Sequence, residues 1–94
     1  MMQEKYHPES LTGKMAYSKA GHDKGALFVI TGEDAECVLL ADGRHRTAAS
    51  PKKKNKKHIQ PVTHLPAEVA EILADPAQEP DVRIRKAIRL FQKM

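Results

Sequence analysis

Aromatic residues are nearly missing from this chain. It has no tryptophan, and only Tyr6, Tyr17, Phe28 and Phe91 carry a ring. A protein that grips single strands by stacking displays several exposed rings, and a proline-peptide groove needs clustered aromatics. Neither mode suits this composition. Phe28 falls in an apolar stretch and Phe91 on an apolar helical stripe, so Tyr17 is the one candidate left for stacking, and recognition by backbone shape and charge is expected instead. Cysteine is almost as rare: Cys37 stands alone, which excludes an internal disulfide and fits a reduced, cytoplasmic setting. No apolar run approaches the roughly 20 residues of a membrane helix. The polar start Met1-Met2-Gln3-Glu4-Lys5 also lacks the apolar core of a secretory signal, so a soluble chain with no membrane partner is expected.

Catalytic constellations are missing too. Cys37 lies in an apolar stretch with nothing nearby to activate it, and reads as a small core residue. His7, His22, His45, His58 and His64 show no His-x₃-His pairing, so no metal site is expected. Asp23, Glu33, Asp34 and Asp42 occupy turn positions, where local hydrogen bonding accounts for them. The chain reads as non-enzymatic and without a cofactor.

Positive charge is what the chain does have. Its 94 residues suffice for one domain, and sixteen Lys or Arg against twelve Asp or Glu give a net charge of +4. Seven of the cations fall between Arg44 and Lys57, a stretch with no Asp or Glu, while the acids gather mainly at Glu33–Asp42 and Glu68–Asp81. Like charges at such density repel, and a polyanion converts that repulsion into affinity by releasing counterions. Lys52, Lys53, Lys54, Lys56 and Lys57, in a basic loop at 51–57, are therefore expected to contact phosphates without reading sequence. Arg44 and Arg46 offer planar guanidinium groups for bidentate phosphate contact or stacking on an unpaired base. The plainer alternative is a solvated loop that keeps a small protein soluble.

The chain divides into short elements. Residues 1–10 are polar and unpatterned, as in a flexible tail. Lys14–Ser18 reads as a strand, followed by a loop at Lys19–Gly25 with Gly21 and Gly25 for unusual backbone angles. Ala26–Thr31 and Glu36–Ala41 read as apolar strands. Asp42-Gly43 suits a tight hairpin, with Arg44–Thr47 returning as the next strand. Pro51 is expected to halt pairing before the lysine loop, and Lys57–Gln60 to form a last strand. Short strands joined by hairpins suggest a small, strongly bent sheet or barrel over residues 11–61. A helical extension follows at 62–94, with Val69, Ile72 and Leu73 on one helix face and Ile84, Ala87, Ile88 and Phe91 on another. Arg83, Lys86, Arg89 and Lys93 lie mostly off that second face and would extend a basic surface.

The segment Gly13-Lys-Met-Ala-Tyr-Ser-Lys-Ala-Gly21-His-Asp-Lys-Gly25, followed by Leu27-Phe-Val-Ile30, resembles the KOW family of ribosomal proteins and transcription elongation factors. Ala41-Asp-Gly43, Pro51-Lys-Lys-Lys-Asn55 and Lys57-His58 look closest to one branch, the bacterial KOW-domain RNA-binding proteins similar to eukaryotic-type large-subunit ribosomal protein fourteen. The resemblance covers about half the chain. It implies an SH3-like β-barrel that binds RNA in a ribosomal or translational setting, so a mainly β fold with two C-terminal helices is expected. In the glycine loop itself, Gly21 and Gly25 would let backbone N–H groups approach a phosphate, with Lys19, His22 and Lys24 around them and His58 beside the lysines; the plainer alternative is that both glycines only satisfy turn geometry. The family pattern often carries arginine where this chain has His22, so a titratable group replaces a permanent charge there. The expected partners are RNA, ribosomal RNA above all, and ribosomal or transcription proteins. A protein-interaction adaptor that docks a partner on the barrel or on the amphipathic helix, including a transcription-linked one, is the competing reading.

Overall fold

The computed structural model describes residues 10–94. The expected tail, together with Tyr6 and His7, lies outside the described residues, apart from Ser10. Five strands form one antiparallel sheet: β1 (Met15–Ser18), β2 (Leu27–Glu33), β3 (Cys37–Ala41), β4 (Lys52–Asn55) and β5 (Ile59–Val62), in the order β4-β3-β2-β1-β5. Two helices follow, α1 (Ala67–Leu73) and α2 (Pro80–Lys93).

Side chains alternate across each strand, so the sheet is apolar on both faces. On one face Met15, Leu27, Val29 and Ala41 pack with Val69 of α1 and Ile84 and Ala87 of α2. Ile72, Leu73, Ile88 and Phe91, expected on the apolar helix faces, pack half-buried around this core. On the other face Ala16, Phe28, Ile30, Val38, Leu40 and Ile59 form a second cluster. Tyr17 is half-buried against the helical core, which makes it a core-edge residue rather than a free stacking platform. Cys37 is half-buried at the start of β3 instead of fully inside the core.

The second cluster needs no further layer because the sheet rolls around it. The edge strands β4 and β5 are consecutive in the chain, joined only by a 3₁₀ turn at Lys56–His58. Five flat strands spaced about 4.8 Å apart would separate the edges by roughly 19 Å. The four links from Asn55 to Ile59 reach at most about 14 Å. The edges therefore curl toward one another, helped by a register shift between Ile30 and Gly32 that bends β2. Lys56 N donates to Glu36 O at 2.8 Å and Lys19 N donates to His58 O at 2.8 Å, fastening the turn across the opening. The hydrogen-bond ladder does not close, since β4 and β5 remain the two edges.

Two segments differ from expectation. Arg44–Thr47 is a turn, not a strand. Asp42 Oδ1 accepts from both Arg44 N and Arg46 N at 2.9 Å, and the N–H groups of Asp42 and Gly43 both donate to Arg46 O. These bonds use the backbone groups a ladder would need, and Gly43 takes φ 80° to allow them. The lysine run, in turn, is a strand rather than a loop: β4 pairs with β3 through Leu40↔Lys52, Leu39↔Lys53, Val38↔Lys54 and Cys37↔Asn55. Pro51 does not halt pairing; it precedes the first paired residue, where a missing N–H costs no ladder bond.

Candidate nucleic-acid interface

Because β4 is a strand, its lysines point alternately to opposite faces. Lys52 and Lys54 share the face of Leu40 and Val38, the inside of the roll, while Lys53 points outward. Asp23 meets the inward pair: Lys52 Nζ donates to Oδ2 at 2.5 Å and Lys54 Nζ to Oδ1 at 3.0 Å. Ser18 Oγ adds a third bond to Oδ1 at 2.7 Å. Burial would raise the Asp23 carboxyl, but the hydrogen bonds from Lys52, Ser18 and Lys54 outweigh it and hold the group well below the usual carboxylate range. Only 9% of the Lys54 side chain is exposed. Lys56 is tied in the same way, with Nζ donating to Glu33 Oε2 at 3.1 Å. The other Glu33 oxygen accepts from Ser10 Oγ, Leu11 N and Thr12 N. Those bonds, the one from Ser10 foremost, lower Glu33 from 4.5 to about 2.

Lys52, Lys54 and Lys56 are thus internal counter-ions, which corrects the expectation that the whole run faces a polyanion. The acids that neutralise them come from 20 or more positions away and were invisible to a local charge count. Lys53 and Lys57 remain exposed. Lys53 lies 4.0 Å from Asp34 with both side chains mostly in solvent, a contact worth little in water.

The fold brings together two basic segments that lie far apart in sequence. The loop 19–25 sits against β4 and the 3₁₀ turn through Lys54 Nζ donating to Ala20 O at 2.9 Å and through the Lys19–His58 backbone bond. Lys19, His22 and Lys24 on the loop, and Lys57 and His58 on the turn, are all exposed. None of them has a carboxylate within 4 Å among the described residues. Gly21 and Gly25 take φ 85° and 89° in that loop, the backbone role expected of them.

Arg44 and Arg46 do not share a strand face, but both are exposed on the 42–46 turn. The pairing Val29↔Ala41 sets this turn at the same end of the sheet as the loop 19–25. Burial pushes the Asp42 carboxyl up, and the N–H groups of Arg46 and Arg44 more than offset it, holding the group below the usual carboxylate range. α2 docks beside the turn: Arg85 Nη1 donates to Gly43 O at 2.6 Å and Asp81 Oδ1 accepts from Ala48 N at 2.8 Å. The sequence carried no signal for Arg85 at this place, because the contact joins residues 42 apart in the chain.

No protein-family model matches the chain, and no curated protein matches it.

Proposed function

We propose that this chain is a non-enzymatic RNA-binding module whose rolled sheet is an SH3-like barrel of the KOW type, acting in a ribosome- or translation-associated role. It holds the RNA phosphate backbone on the face formed by the loop 19–25 and the 3₁₀ turn, with Arg44 and Arg46 at the same end of the sheet. The observation that carries this reading is the meeting of two basic segments whose exposed members, Lys19, Lys24 and Lys57, lack carboxylate partners among the described residues. Three lysines of the run are neutralised by Asp23 and Glu33, whereas these three keep their charge available to a ligand. Lysine contacts of this kind position a backbone without reading bases, in keeping with the scarcity of rings.

The test is fluorescence anisotropy with a labelled RNA. The triple variant Lys19→Gln, Lys24→Gln, Lys57→Gln should bind about tenfold more weakly or worse at ~100 mM salt, with its thermal midpoint preserved. Unchanged affinity in a folded triple variant would refute the face. For the ribosomal setting, the native protein should sediment with ribosomal particles and leave them after ribonuclease treatment; sedimentation as a free protein without the nuclease would refute it.

A further inference from the structure

Beside the face described above, and sharing Arg44 with it, the turn 42–46 and α2 form a cleft of about 280 Å³. Arg44 from the turn and Arg85 and Arg89 from α2 line it, with Leu27 and Ile88 as apolar walls and Asp42 as the one acid. The three arginines have no carboxylate within 4 Å among the described residues. Asp42 Oδ1 is engaged by the turn's own N–H groups. The lining therefore carries three positive charges against one negative.

The cleft is built rigidly. Arg85 is fixed by its bond to Gly43 O, and the turn lies so close to α2 that a Cβ on Gly43 would stand 2.6 Å from Asp81 O. A guanidinium held in place presents paired N–H donors to phosphate with little ordering cost. The volume sits at the lower end of small-molecule pockets, about 300 Å³ and upward. That is room for one nucleotide unit and too little for a duplex or a folded partner.

We propose that this cleft binds a single nucleotide unit, with its phosphate on Arg44, Arg85 and Arg89 and its base against Leu27 and Ile88. The unit is either an unpaired residue of a bound RNA or a free nucleotide. In the first case the cleft rests on the RNA-binding reading and supplies its one base-contacting point; in the second it stands without it.

The experiment has two arms, each on the full chain. In the first, anisotropy of a single-stranded ten-nucleotide RNA compares the wild type with Arg44→Gln/Arg89→Gln and with Lys53→Gln/Lys93→Gln, which removes equal charge outside the cleft. Arg85 is left intact because its bond to Gly43 O holds the turn. In the second arm, uridine monophosphate is titrated while the arginine Nε–Hε signals of the wild type are followed by NMR. Occupation by an RNA unit is expected to make the arginine pair at least tenfold weaker and the lysine pair less than threefold weaker, with both variants keeping the wild-type unfolding midpoint. Equal losses in both pairs, with no shift at Arg44, Arg85 or Arg89 on adding the nucleotide, would overturn the cleft and leave the RNA reading standing. Nucleotide-induced shifts without any RNA binding would support a free-nucleotide site and overturn the RNA reading instead. Silence in both arms would overturn both.

Discussion

Asp23 controls the direction of two lysines that sequence alone would assign to a ligand. Its carboxylate holds Lys52 and Lys54 inside the roll, so removing it leaves an almost buried ammonium without a counter-ion. Asp23→Asn should destabilise the fold by about 3 kcal/mol, read as a fall of about 10 °C or more in the unfolding midpoint. A midpoint within a degree or two of wild type would show that the cluster is not structural. Acid should have a related effect. Asp23 and Glu33 are both held below their ordinary values, Glu33 moving from 4.5 to about 2. A carboxyl lowered in the folded state stabilises fully above its unfolded value and loses that contribution as pH falls through the folded one. The unfolding midpoint should therefore be level above about pH 5 and fall between about pH 4.5 and 2, a trend that circular dichroism melts at stepped pH would check. Asp23 lies in a turn as the sequence suggested, whereas Glu33 ends β2; the lysine partners of both lie 23 to 31 positions away, beyond any local pattern.

At the scale of elements, legibility follows periodicity. β2 and β3 were readable because β-branched and apolar residues concentrate there, and α1 and α2 because Val69, Ile72, Leu73, Ile84, Ala87 and Ile88 recur at helical spacing. β4 was not, because a run of one residue type has no alternation to read; only its register against β3 shows that Lys53 faces out while Lys52 and Lys54 face in. The turn 42–46 was misread for another reason. Asp-Gly suits a hairpin, but here the Asp42 carboxylate captures two downstream N–H groups and α2 takes up the space beside Gly43. The docking separates two glycines that look alike in sequence. A methyl group at Gly43 meets both an unfavourable φ and the Asp81 carbonyl, whereas at Gly25 it meets only the φ, with nothing within 4 Å. Gly43→Ala should cost about 3 kcal/mol and Gly25→Ala about 1 kcal/mol. Urea denaturation of the two variants side by side checks the order, and equal losses would contradict the close packing of turn on helix.

Across the whole molecule, a net charge of +4 understates the asymmetry. Lys52, Lys54 and Lys56 are paired with Asp23 and Glu33, while unpaired cations, Lys19, Lys24, Lys57 and Arg44 among them, lie exposed on the loop, the 3₁₀ turn and the 42–46 turn. The most direct measurement of what that arrangement does is the affinity for single-stranded RNA as a function of salt. Four phosphates neutralised by those four groups should give a slope of log K against log salt of roughly −3. A slope near zero, or no binding at ~50 mM salt, where phosphate contacts are strong, would contradict the account.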